Sequence, residues 1–307
     1  MPRIVPNFHS IAAGLLILSL TATACLPVPP AAQVTDDSGT VIELDRPVQR
    51  IISLSPSCTE MVYHLGLEGR LAGVTEYCNY PPEAKNKDKV GGFSTVDVEK
   101  AVSLQPDLVL AADIHSKSTT PLLEKLGFRV VTFNPKSMDR VISDIRLLAR
   151  ICGISEQSEG TISNLKSRVA AVSTKTLAPS DGFKPGTLII IWHEPLMVAG
   201  TGTLIDDLVR LAGGANLAQG VTGYANLSIE SVISSDPEVI IIPTSMGQSG
   251  SQIRNSVTSD ARLKNVSAVK NNAVYEIDGD ILLRYGPRSV TALEQIAALL
   301  HPQLYGK

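Results

Sequence analysis

Val96-Asp97-Val98-Glu99-Lys100-Ala101-Val102-Ser103-Leu104-Gln105-Pro106-Asp107-Leu108-Val109-Leu110 aligns without a gap on Leu227-Ser228-Ile229-Glu230-Ser231-Val232-Ile233-Ser234-Ser235-Asp236-Pro237-Glu238-Val239-Ile240-Ile241. Glu99 stands opposite Glu230, Ser103 opposite Ser234 and Pro106 opposite Pro237, and apolar positions coincide between them. Each copy reads as a helix, a proline beside an acid, and then a β-branched strand. Three identities in fifteen are weak evidence alone; together with a matched hydrophobic pattern they imply two similar lobes.

Outward from this repeat, apolar runs alternate with helical patterns, as in α/β lobes built on parallel sheets. Arg50–Leu54, Leu108–Ala111, Val130–Phe133, Leu188–Trp192, Val239–Ile242 and Ala273–Ile277 read as strands whose continuous apolar character suits burial on both faces. Thr59–Leu65 reads as a helix with Ser57 as N-cap and Gly66 as its stop. Thr203 reads as the cap of a helix entered at Asp206. Between the halves, Ser137–Cys152 and Ser155 to about Lys175 read as consecutive helices split by Gly153. The second keeps Ile162, Leu165, Val169 and Val172 at helical spacing. A long helix there would be a stiff spine permitting small rocking motions, closed by Ala178-Pro179-Ser180-Asp181-Gly182. The expected fold is two Rossmann-like α/β lobes joined by a long spine helix: an N-terminal lobe over 38–136, helices over 137–182 and a C-terminal lobe over 183–307.

The N-terminus carries Arg3, an apolar stretch from Ile11 to Leu20 and the small-residue run Ala22-Thr23-Ala24 before Cys25. About ten apolar residues are half of what a bilayer span needs. Residues 1–24 therefore read as a lipoprotein signal peptide with Cys25 as the lipidated residue, against the blander reading of ordinary cleavage near Ala24. Residues 25–37, proline-rich at the start, read as anchor and flexible tether.

Composition removes several function classes. Lys plus Arg number 27 against 30 Asp plus Glu, with no basic tract to recruit nucleic acid. Beyond Cys25 stand Cys58, Cys78 and Cys152, and whether Cys58 pairs with Cys78 is open. No Cys-x-x-Cys or His-Glu-x-x-His spacing supports a structural zinc or zincin chemistry. Gly200-Thr201-Gly202 lacks the third glycine of a dinucleotide fingerprint, since Ile205 occupies it, and no Gly-x-Ser-x-Gly elbow is present. An extracytoplasmic hydrolase is thus only a distant alternative. The few aromatics, 4% of the chain, lie after strands, where open α/β sheets bind ligands: Tyr77, Phe93, Trp192, and Tyr224 in a glycine-rich loop. The bland alternative is that each is a core aromatic.

Taken in order, Arg50–Glu60, Gly73–Pro82, Pro106–Val109, and Asp278-Gly279-Asp280 followed by Gly286-Pro287-Arg288 resemble the cobalamin-binding proteins of the BtuF-like class. These are helical-backbone (class III) solute-binding proteins of ABC importers, and the match runs from about Arg50 to His301. The resemblance implies a monomeric, extracytoplasmic, lipid-anchored protein that captures cobalamin or another corrinoid, with no catalytic cofactor. It would deliver the ligand to a permease dimer with its ATPase subunits; the alternative is the same role for haem or a ferric siderophore. It implies that Tyr77, Phe93, Trp192 and Tyr224 stack on the corrin or its base, with Asp280 and Arg284 in the ligand site. Phe93 and Tyr224 stand where tryptophans are familiar in that class, and Ala112 where another would be. The resemblance further implies that Glu99 and Glu230 dock arginines of the permease. No metal site is expected, His193 being weighed as an axial imidazole against a hydrogen-bonding wall.

Overall fold

The computed structural model describes Pro2 and residues 32–176, 182–244 and 250–306. The signal segment, Cys25, the proline-rich start of the tether and the turn at 178–181 lie outside these residues. The chain enters through a hairpin of β1 (Gln33–Thr35) and β2 (Val41–Glu43), paired antiparallel. Asp36 in its turn accepts the Thr132 amide at 2.8 Å, and Asp37 accepts that of Asn134 at 2.6 Å. Residues 33–37, expected to belong to a flexible tether, instead form a paired strand and its turn. Two carboxylates that cap the end of a buried strand draw the hairpin into the first lobe.

That lobe holds β3 (Ile51–Ser53), α1 (Pro56–His64), β4 (Leu71–Val74), β5 (Asp88–Lys89), α2 (Val98–Ser103), β6 (Leu108–Ala112), α3 (Thr119–Lys125) and β7 (Val130–Phe133). Its sheet, ordered β5-β4-β3-β6-β7, is parallel throughout. Helix α1 starts earlier than its apolar pattern suggests. Pro56 takes the first helical position, where a missing N–H costs nothing, so the cap falls on Ser55 and not on Ser57. Gly66, at φ +69°, ends the helix as expected.

Helices α4 (Met138–Ile151) and α5 (Ser155–Thr176) follow as read, with Ser137 accepting the Arg140 amide and Gly153 at φ +71° between them. At 22 residues α5 is about 33 Å long. Ile145, Leu148, Ile162 and Leu165 are wholly buried in one core that also takes in Leu208 of the second lobe and Leu293 near the C-terminus. The spine is thus fused to both lobes by apolar burial rather than hung between them.

The second lobe comprises β8 (Gly186–His193), β9 (Leu196–Ala199), α6 (Leu204–Leu211), β10 (Ala215–Asn216), β11 (Tyr224–Asn226), α7 (Ile229–Ser235), β12 (Val239–Thr244), α8 (Gly250–Ser259), α9 (Ser267–Lys270), β13 (Val274–Asp278), α10 (Gly279–Leu282) and α11 (Ser289–Leu300). Its sheet runs β11-β9-β8-β12-β13, with β10 beside the start of β8. Strands β8, β10, β12 and β13 form the expected parallel sheet, and β9 and β11 extend it antiparallel, a return the apolar runs did not announce. Glu194-Pro195 turns β8 straight back into β9 without a crossover helix. Thr203 caps α6 by accepting the Asp206 amide at 3.1 Å.

The internal repeat is structural down to single torsions. Asp97 caps α2 through the Lys100 amide (2.9 Å), and Ser228 caps α7 through the Ser231 amide (3.1 Å). Each helix runs out at a non-glycine residue in the left-handed region before the proline, Gln105 at φ +48° and Asp236 at φ +41°. The acid after the proline then secures the neighbouring strand. Asp107 accepts the amides of Gln49 (2.7 Å) and Arg50 (3.0 Å), and Glu238 accepts that of Gly186 (2.7 Å). Amides at the start of β3 and β8 thereby find partners, which is the physical reason both copies carry Pro-acid there. Among the described residues, no helix is long and apolar enough to cross a membrane.

Candidate functional site

In the first lobe, parallel β4 and β5 release two loops at their C-terminal ends, and these carry Tyr77 and Phe93. The Glu76 amide donates to Gly91 O at 2.9 Å and ties the loops together. Gly91, at φ +92°, lets the second loop close on itself, since a Cβ there would sit 2.5 Å from Thr95 O. Tyr77 is 58% exposed, with its ring edge near Gly92. Phe93 is half-buried, its ring edge-on to His115 at 5.5 Å between centroids.

In the second lobe the aromatics are in strands and not in loops. Trp192 is the penultimate residue of β8, its Nε1 donating to Glu194 O at 2.9 Å. Tyr224 opens β11. Trp192 lies opposite Met197, and Met197 opposite Asn226, two residues beyond Tyr224. Residues level across a ladder share a face, as do i and i+2, so Trp192 and Tyr224 look out from one face of the hairpin sheet, roughly 12 Å apart. Tyr224 is 42% exposed. The repeat also relates the aromatics to the acids: Phe93 precedes Glu99 by six residues, and Tyr224 precedes Glu230 by six.

The lobes meet through a polar cluster around residues that the resemblance contains but that sequence reading left out of the site. Arg288 grips Glu60 with two bonds, 2.9 Å from Nε and 2.6 Å from Nη2, and its guanidinium lies 4.0 Å over the Tyr80 ring. Asn79 donates to Asp280 at 3.0 Å and accepts from Arg284, which pairs with Asp280 at 2.7 Å. Asp280 and Arg284 thus pair with each other and are held by Asn79 of the opposite lobe. Burial raises the Glu60 carboxyl above its ordinary range, opposed by the Arg288 bonds. The available signal was an acid inside an otherwise apolar helix, Thr59-Glu60-Met61-Val62, since a buried carboxylate demands a partner.

His193 closes β8, and its Nδ1 is buried without a hydrogen-bond partner. It opens on a cavity of about 440 Å³ with Ser228, Asp260 and Arg262, whose walls include none of Tyr77, Phe93, Trp192 or Tyr224. A cavity of about 700 Å³ beside α5 and α11 also holds none of the four. Among the described residues, no group of three His, Cys, Asp or Glu side chains could hold a metal ion. Cys58, Cys78 and Cys152 are free thiols. Cys58 is turned to Ala111 O, and burial pushes its thiol up to about 12; Cys78 instead accepts from the Thr59 hydroxyl at 3.1 Å. Glu99 and Glu230 are exposed in the first turns of α2 and α7. The Glu230 carboxyl is held below its ordinary range by a backbone amide and the Ser228 hydroxyl.

A family model described as periplasmic binding protein matches residues 51–281. The chain belongs to that family. It is a class III binding protein, a capturing and not a catalytic molecule. Its relatives include the Bacillus subtilis protein named uncharacterized ABC transporter substrate-binding lipoprotein YvrC, 27% identical over 277 residues, which span 89% of this chain and 86% of YvrC. The solved vitamin B12 binding protein BtuF of Vibrio cholerae is 28% identical with a TM-score of 0.72, covering 85% of this binding protein and 99% of BtuF. The periplasmic heme-binding protein RhuT of Roseiflexus sp. RS-1 is 25% identical with a TM-score of 0.73, over 84% and 99% of the two chains.

Proposed function

We propose that this binding protein captures a corrinoid between its lobes and delivers it to the permease dimer of an ABC importer, held to the membrane by a lipid on Cys25. The observation that carries the ligand class is the exposure and spacing of the aromatics. Tyr77 is 58% and Tyr224 42% exposed, and Trp192 shares a face with Tyr224 at roughly 12 Å. Rings set that far apart suit a macrocycle or a ligand with two planar parts. Likeness to the vitamin B12 binding protein BtuF supports the corrinoid, and likeness to RhuT keeps haem as the second reading. Asp280 and Arg284, at the junction of the lobes, offer one acceptor and one donor group for amides or carboxylates at the ligand's rim. Glu99 and Glu230, one exposed acid on each half of the repeat, suit bidentate pairing with arginines of a two-fold symmetric partner.

Calorimetric and visible-spectrum titration of the purified protein with cyanocobalamin, cobinamide, haem and a ferric siderophore tests the assignment. Submicromolar corrinoid binding is expected. Haem or siderophore binding at least a hundredfold tighter than every corrinoid would overturn it.

A further inference from the structure

His115 has only 1% of its surface exposed, yet it stands between two positions of the first lobe that face the ligand question, Ala112 and Phe93. Its Nε2 lies 2.7 Å from Phe93 O, and its Nδ1 lies 3.0 Å from the Ala112 amide nitrogen and 3.1 Å from Ala112 O. With the single proton of a neutral ring on Nε2, the ring donates to Phe93 O and accepts the Ala112 N–H; with it on Nδ1, Phe93 O and the Ala112 N–H both lose their partner, so the first tautomer satisfies more groups. The imidazole ring also meets the Phe93 ring edge-on, at 80°. One side chain thus holds Phe93 by its backbone and by its ring, and fastens both to the end of β6. The other backbone ties of this loop run to Glu76, to Thr95 and from Asp97 to Val90. None of them reaches Phe93 itself.

We infer that His115 is the positioning residue of the Phe93 loop, fixing the aromatic ring's orientation before ligand arrives. The inference rests on the reading of Phe93 as a ligand-stacking residue. An aromatic held in its bound orientation loses less conformational freedom on binding, so the gain appears as affinity and not as fold stability. Burial lowers the His115 pKa below its ordinary value, against its two backbone hydrogen bonds, which raise it.

Two substitutions separate the bonds. In His115→Gln the amide nitrogen falls where Nε2 stood and keeps the bond to Phe93 O; in His115→Asn the carbonyl falls where Nδ1 stood and keeps only the bond from Ala112. Both should melt close to the wild type. Without ligand, His115→Asn should exchange the amides of residues 92–96 at least tenfold faster than wild type, with His115→Gln near wild type. With cyanocobalamin as probe, His115→Asn should raise Kd at least fivefold, and that loss should vanish in a Phe93→Ala background. Should either variant fail to fold, ¹⁵N spectra of the wild type still decide, since a proton on Nδ1 overturns the inference. Equal loop exchange in the two variants, or a full His115→Asn loss persisting in Phe93→Ala, overturns it too. A wild type that binds neither cyanocobalamin nor haem would sink the ligand assignment, leaving the exchange comparison to decide on His115.

Discussion

Tyr77 and Tyr224 leave 58% and 42% of their surface exposed, and a ligand that covers both rings should depend on both. Tyr77→Ala and Tyr224→Ala are each expected to weaken corrinoid binding by about 1–3 kcal/mol while leaving the melting temperature nearly unchanged. Titration of the folded variants checks this, and full affinity in both would return the rings to a structural role. A different residue governs stability. Asp144 is buried beside Arg140, whose Nε is 3.1 Å away, and close to Asp37; burial first, then the Asp37 charge, pushes its carboxyl up to about 8. The folded state therefore holds a proton that an unfolded aspartate releases near pH 4. The stability this gives is complete below the unfolded pKa and is lost as pH rises through 8. Asp144→Asn keeps the site uncharged, so it should match wild type near pH 4 and exceed it by about 1–3 kcal/mol at pH 9 in urea melts. A wild type equally stable at both ends of that range, relative to the variant, would exclude the buried proton.

Among elements, α1 and the segment before α11 meet across the lobe junction through Glu60 and Arg288. Removing one partner leaves a buried charge, so Glu60→Leu or Arg288→Leu alone should cost about 3–5 kcal/mol, and the double variant less than their sum. Additive losses in denaturant titration would mean the pair is not coupled. This junction was the least legible part of the sequence, because Glu60 and Arg288 are 228 residues apart and neither carries a local signal of the other. Elements whose cause is local were legible: the Thr203 cap, the stop at Gly66 and the two spine helices. Where local signals competed, the reading slipped. Ser57 has the cap chemistry, but Pro56 decides for Ser55. The return of β9 and β11 depends on non-local pairing, so Tyr224 read as a loop residue although it is laddered to Ala199.

At the scale of the molecule, the repeat sets one exposed carboxylate on equivalent helices of the two lobes. Glu99→Arg combined with Glu230→Arg should leave ligand affinity and melting temperature near wild type while abolishing association with permease-containing vesicles and ligand-stimulated uptake. Normal uptake, or joint loss of ligand binding and stability, would reject the docking role. Membrane fractionation of Cys25→Ala tests the anchor: the variant should leave the membrane, and retention would show that the lipid is not what holds it. The candidate ligand face was half legible at this scale, since chain order announced the aromatics but not which of them share a surface. The spine has one more consequence. The spine core takes in residues of both halves and Glu60 and Arg288 clip the junction, so the lobes are expected to rock and not to swing wide. A carrier of that kind would show a permease nearly one outline, full or empty, and the cargo itself would then be what tells the two apart.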